Sequence, residues 1–273
     1  MTTLPAARER SPRALVAHTL ILTQRLLVRW SRDPMTLAQS LVLPALLLIM
    51  LNLALGNQIT RYAVDHNLYG PGYDSIYGTV PMAALVGIMA GSVAGAISLG
   101  RERETGLLSR FWVLPVHRSS GLIARVLAEG MRIFVGTVMI VIVGYLFGFR
   151  FEQGPLAALA YVTLPVLFGL AFATVITTIA VRTAKASLIE LVSLASSVLT
   201  FFSTGFVPLD AFPEFLRGVV TYQPLTTTVD AMRGLSFGGP VAKPLLVTLI
   251  WCFGSILVFA IPAAQGYRKA SRR

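Results

Sequence analysis

The run TVPMAALVGIMAGSVAGAISL, Thr79 to Leu99, holds twenty-one residues without a charge and stops at Gly100 against Arg101-Glu102-Arg103-Glu104. A helix rises about 1.5 Å per residue, so ~20 apolar residues cross the ~30 Å of hydrocarbon in a bilayer. This run therefore reads as a membrane span ended by a water-facing charged segment. Working outward, runs of the same kind occupy Met35 to Leu55, Ile133 to Phe149, Leu156 to Val181, Ser187 to Gly205 and Leu245 to Ala264. The expectation is an all-α polytopic membrane protein with six transmembrane helices, forming a single domain over residues 1–273.

Basic residues orient the spans. Eighteen of the 23 Lys and Arg fall in residues 1–34, 100–132, 182–186 and 265–273. By the positive-inside rule these segments are cytoplasmic, which puts both termini inside and the chain in the inner (plasma) membrane. With 55% hydrophobic and 13% charged residues, little of the 273-residue chain is left for a soluble surface. The net charge of +11 lies beside the spans, where it faces membrane lipid headgroups, so nucleic acid is not an expected partner.

Between the termini several segments carry further information. Residues 13–32 read as an amphipathic helix on the cytoplasmic interface: Leu15, Val16, Leu20, Leu22, Leu26, Leu27 and Trp30 share one arc, and Asp33-Pro34 turns the chain into the first span. In the second span Ala83, Gly87, Gly91 and Gly95 recur at intervals of four, a stripe suited to close helix packing within the chain or across a dimer. The segment 101–120 mixes charge with Leu107, Leu108, Phe111 and Trp112, which fits either another interfacial helix or an element that docks on a cytoplasmic partner. Residues 206–237 hold two apolar pieces too short to cross the bilayer, so an external re-entrant hairpin packed against the spans is expected. Tyr62, Tyr69, Tyr73 and Tyr77 read as an interfacial aromatic belt.

The chemistry is sparse. No G-x-x-x-x-G-K-[ST] loop occurs, nor H-E-x-x-H, paired cysteines or G-x-S-x-G, so no catalytic residue, metal site or nucleotide site is expected. Glu190 is the one ionisable group expected inside a span, within reach of Arg182 and Lys185. Ser193, Ser196, Ser197, Thr200, Ser203 and Thr204 give the same span a hydroxyl side, either bonded back to helices or lining a translocation path.

Two stretches carry a family resemblance: Arg101-Glu102-Arg103-Glu104-Thr105-Gly106 through Leu114-Pro115-Val116-His117-Arg118, and Thr204-Gly205-Phe206-Val207-Pro208-Leu209 through Pro213, Gln223-Pro224-Leu225-Thr226 and Asp230-Ala231-Met232-Arg233-Gly234. In these and in its six-span layout the chain resembles the ABC type-2 transporter permeases of the daunorubicin-resistance group. The resemblance implies the membrane subunit of an ATP-driven exporter of lipids or lipophilic drugs, with ATP and Mg on separate P-loop ATPase subunits and a second permease, homologous or identical, as partner. It implies a coupling role for Glu102, Arg103, Glu104, Leu108, Phe111 and Trp112, and an exit-capping hairpin containing Gly205, Pro208, Pro213 and Pro224. Gly87, Gly91 and Gly95 are the expected packing or dimer positions, and Ser193, Ser197, Thr200 and Thr204 the expected path. The competing class, a lipid-modifying membrane enzyme or passive scaffold, would need for its enzymatic form a His, Asp or Glu cluster at one membrane face, which the sequence lacks.

Overall fold

The computed structural model describes residues 11–106, 120–182 and 186–271, which are helical and contain no strand. Helix α1 (Pro12–Ser31) begins at Ser11, whose hydroxyl accepts from Ala14 N, with proline in its first turn. Asp33 then caps the next helix, accepting from the backbone nitrogens of Met35 and Thr36 and from the Thr36 hydroxyl. The remaining helices are α2 (Pro34–Asp65), α3 (Ile76–Glu104), α4 (Ser120–Leu146), α5 (Pro155–Arg182), α6 (Ala186–Phe201), α7 (Glu214–Tyr222), α8 (Pro224–Ser236) and α9 (Ala242–Ser271). Five of them, α2 to α5 and α9, are long and apolar enough to span a membrane; the sixth expected span, α6, is shorter.

Helix α3 is the axis. It is the most buried of the long helices and packs on α2, α4, α5, α6 and α8. Near the start of α2 the backbone widens to a π turn at Ala38–Val42, because Pro44 has no N–H for the carbonyl of Ser40. That carbonyl faces Gly87, where a Cβ would lie 2.9 Å from it and 2.8 Å from Pro44 Cγ. Bare glycine lets α2 and α3 touch there.

Three apolar clusters run along α3. At the hairpin end Tyr73, Tyr77, Phe149, Tyr161 and Met232 pack together. In the middle Met82, Leu85 and Ile88 meet Ile133, Phe168, Leu225 and Val229. At the opposite end, called basic here for its arginines, Ala96 meets Ile176, Ala180 and Ile189. The burial of Tyr73 and Tyr77 corrects the aromatic-belt expectation: these rings face protein, within 6.5 Å of each other and on either side of Phe237, rather than the lipid boundary.

The hairpin has two unlike halves. Helix α8 is buried along nearly its whole length, its threonines satisfied internally: Thr228 donates to Pro224 O and Thr248 of α9 to Thr227. Helix α7 leaves Phe215, Val219 and Tyr222 exposed on one stripe.

Helix α1 seats on α4 through Thr19 and Thr23, both buried, with the Thr23 hydroxyl 3.5 Å from the carbonyl of Ala124, while Val16 and Leu20 of its apolar arc point outward. Small hydroxyl residues allow closer helix approach than leucine does. They make the seam.

Candidate functional site

At the basic end, α3 and α4 flank the segment 107–119, which lies outside the described residues together with Leu108, Phe111 and Trp112; so do the side chains of Arg103 and Glu104. Glu102 is described, and it faces inward. Only 5% exposed, it accepts from Arg29 of α1 through one carboxylate oxygen and from Arg125 of α4 through the other. One carboxylate therefore ties three helices together where the chain leaves α3 and re-enters α4. This geometry makes Glu102 a tie between helices of the chain itself. A carboxylate this buried, with each oxygen accepting from a guanidinium, is turned to its own helices.

One helical turn and more above this clamp, α4 carries a second charged group. Arg132 donates to Glu129 at 3.1 and 2.5 Å and to Ser92 Oγ of α3 at 3.2 Å, and Ser92 Oγ donates to Glu129 at 2.6 Å. Ser92 sits seven residues inside the charge-free run, about 10 Å along the helix from its charged end at 1.5 Å per residue. The ion pair is thus well inside the apolar zone. This overturns two expectations at once: α4 begins at Ser120 rather than Ile133, and Glu190, exposed on the first turns of α6, is not the sole ionisable group at membrane depth. The physical reason is charge cancellation. Glu129 and Arg132, three residues apart on one helix face, neutralise each other, so the helix continues through residues that a hydropathy window rejects.

The glycine stripe makes room for that pair. A Cβ at Gly91 would lie 2.7 Å from Cζ of Arg132 and closer still to Nη1, whereas a Cβ at Gly95 would meet only Glu129 Oε2, at 4.0 Å. Of the three expected packing positions, Gly87 faces α2, Gly91 admits a guanidinium, and Gly95 borders a cavity. That cavity, about 370 Å³, lies among α1, α3, α4, α5 and α9, and its walls include Trp30, Gly95, Glu129, Arg132, Thr174 and Ala260. Its surface is mostly apolar.

A third polar group locks the hairpin. Arg233 of α8 donates to Asp230 at 2.7 Å and to the carbonyl of Thr204 at 2.8 Å, its guanidinium lies 4.5 Å from the Tyr69 ring centroid, and Thr204 Oγ1 donates to Asp230 at 2.7 Å. Gln223 donates to the carbonyl of Phe202. Gly78 faces Arg233 and Tyr73, so α3 also closes on this arginine. Burial is the main reason the Tyr73 phenol is pushed up to about 12, with Arg233 pulling the other way.

The expected path residues divide accordingly. Thr204 is buried in the lock, and Thr200, buried, donates to Ser196 O at 2.8 Å. Ser197 is exposed and donates to the half-buried Ser193 at its carbonyl, 2.9 Å away. Of these four, Ser193 and Ser197 present a hydroxyl edge outside the packed interior. Among the hairpin residues, Gly205 is packed so that a Cβ would lie 2.7 Å from Met82 Sδ, Pro208 is buried, Pro213 caps α7 and Pro224 opens α8.

Residues 17–237 match the family described as ABC-2 type transporter, a match that takes in most of α1, the Glu102 clamp, the ion pair and the hairpin lock. The chain belongs to the ABC-2 type transporter family. It is 43% identical over 270 residues, 99% of this chain and 95% of the relative, to a Mycobacterium tuberculosis protein named "probable doxorubicin resistance ABC transporter permease protein DrrC". It is 25% identical over 274 residues, 98% of this chain and 92% of the relative, to the daunorubicin resistance ABC transporter permease protein DrrB1 of Streptomyces coeruleorubidus. A shorter match, 28% over 189 residues, reaches the doxorubicin resistance permease DrrB of M. tuberculosis. As an ABC-2 permease the chain is an integral membrane protein. The features that sequence reasoning missed, Arg29, Ser92, Arg125, Glu129 and Arg132, all lie within the matched region.

Proposed function

We propose that this permease works as the membrane subunit of an ATP-driven exporter that moves lipids or lipophilic drugs outward, with hydrolysis on separate P-loop ATPase subunits that hold ATP and Mg. The near full-length likeness to permeases named for doxorubicin and daunorubicin resistance carries this reading. The permease has as its partner a second permease. The basic end is cytoplasmic, with both termini inside, and the hairpin end is external. The unit acts as one domain over 1–273, with 13–32 as its interfacial helix, 101–120 as its coupling region and 206–237 as its hairpin.

In this mechanism Leu108, Phe111 and Trp112, with Arg103 and Glu104, engage the ATPase. Glu102 transmits rather than binds. Motion of the 101–120 region acts on the carboxylate shared by α1, α3 and α4, so the three helix ends move as one body when nucleotide draws the ATPase subunits together. At the far end the Asp230–Arg233–Thr204 lock ties the hairpin to the end of α6, which supports a role for Gly205, Pro208, Pro213 and Pro224 in closing the exit. The exposed Ser193 and Ser197 edge of α6 would then face the path between two permeases.

The test separates the two roles at the basic end. Ala at Phe111 and Trp112 is expected to reduce co-purification of the ATPase, since truncating central interface aromatics commonly costs ~2 kcal/mol or more. Glu102→Gln, which leaves the surface intact, is expected to keep the complex together while ATP turnover loses its link to transport. A Glu102→Gln complex with full transport would remove the clamp from the mechanism.

A further inference from the structure

The donors and acceptors around the cavity do not balance, and the imbalance has one sign. Every carboxylate oxygen near it already accepts a hydrogen bond: Glu102 from Arg29 and Arg125, Glu129 from Ser92 and Arg132, and Asp33 from the start of α2. Donors are left over. The indole N–H of Trp30 is buried and has no partner among the described residues. Nη1 of Arg132 makes no hydrogen bond among the described residues, and Arg29 uses one of its five N–H groups while almost half its side chain stays exposed. The cavity wall itself carries three guanidiniums, Arg29, Arg125 and Arg132, against two carboxylates, Asp33 and Glu129.

The rest of the wall is hydrocarbon and small residues. Gly95 and Ala94 of α3, Leu170 and Ala173 of α5, and Ile256 and Ala260 of α9 leave the space unfilled. An unfilled apolar space of this size beside unmet donors calls for an acceptor-rich head on an apolar tail.

We propose that the cavity between α1 and the helix bundle is a binding site for an anionic lipid, its phosphate held by Arg29, Arg132 and the Trp30 N–H and one acyl chain lying along Gly95 and Ala260. The proposal does not depend on the transport reading, because the site is complete within one chain and binding is measured without turnover. It gives the interfacial helix a ligand: α1 supplies two of the three donors, so the bound lipid would staple α1 to α3, α4, α5 and α9.

The experiment is native mass spectrometry of the full chain released from micelles containing phosphatidylglycerol and phosphatidylcholine with the same acyl chains. The chain is expected to retain phosphatidylglycerol about tenfold over phosphatidylcholine, as charge-assisted contacts to a phosphate lacking its own cation would give. Gly95→Leu, whose Cβ meets nothing closer than 4.0 Å, and Ala260→Phe, at an exposed wall position, are each expected to cut the retained phosphatidylglycerol at least tenfold. Trp30→Phe and Arg29→Gln should narrow the headgroup preference while leaving chain-dependent retention. Inorganic phosphate in excess should not displace the lipid. Equal retention of the two lipids by the wild-type chain overturns the proposal whether or not any variant folds; so does unchanged retention in both cavity-filling variants, or displacement by phosphate alone.

Discussion

Gly91 and Gly95 are one helical turn apart on the same face of α3, yet the structure assigns them different costs. Gly91→Ala places a methyl 2.7 Å from Cζ of Arg132 and in collision with Nη1, so the guanidinium must leave its place. It then loses its bond to Ser92 and one or both bonds to Glu129. Charge-assisted hydrogen bonds of this kind are worth about 1.5–3 kcal/mol each, and breaking a buried ion pair costs about 3–5 kcal/mol. Partial relaxation toward the cavity lowers this, and a loss of about 3 kcal/mol is expected. Gly95→Ala meets only Glu129 Oε2 at 4.0 Å, an ordinary contact, and gains helix propensity of up to ~1 kcal/mol. At about 2–4 °C per kcal/mol for a chain of this size, Gly91→Ala is expected to unfold on the order of 6–12 °C below wild type and Gly95→Ala at or slightly above it. Thermal unfolding in one detergent at one scan rate, followed by fluorescence-detected size exclusion, measures both. Equal midpoints for the two variants would show that the guanidinium does not occupy the stripe.

The topology assigned under the positive-inside rule predicts that Cys at Asp210 or Glu214, both exposed at the hairpin end, reacts with an impermeant thiol reagent on intact cells, while Cys at Ser109 reacts only after permeabilisation. Labelling at 109 from outside would invert the orientation and remove the coupling role of that segment. Tyr73 sets a pH limit: burial raises its folded pKa to about 12 against about 10 when unfolded, so the folded state holds the proton more tightly. Its stabilising contribution is complete below pH ~10 and is lost as pH rises through the folded value. Tyr73→Phe should therefore flatten the loss of stability between pH ~10 and 12; an unchanged alkaline profile would mean that Tyr73 ionises freely.

What the sequence made legible, and what it hid, follows from the range of each signal. The spans were visible because hydrophobicity at Thr79 to Leu99 and Leu156 to Val181 is a local property, and the Asp33-Pro34 break was visible because capping chemistry spans only three residues. The buried half of the hairpin was inferable from its length, since α8 is too short to cross a bilayer and has too many backbone and threonine polar groups to face lipid. Arg132 was hidden because, apart from Glu129 on its own helix, what receives it, Ser92 and the gap above Gly91, lies about forty residues away in another helix. The same holds for Glu102, which reads as one more charge in Arg101-Glu102-Arg103-Glu104 until Arg29 and Arg125 converge on it. Thr204 looked like one of a hydroxyl series on α6; its bond to Asp230 and the arginine beneath its carbonyl make it part of the hairpin lock.

The most direct test of the exporter reading is ATP-dependent movement of a lipophilic fluorescent drug such as doxorubicin in proteoliposomes containing this chain, its ATPase and the second permease. The account predicts no ATP turnover by the purified chain alone, turnover once the ATPase is present, and drug movement away from the ATPase-bearing side only with ATP and all subunits together. Turnover by the isolated chain, or the same drug flux with ATP withheld, would contradict it.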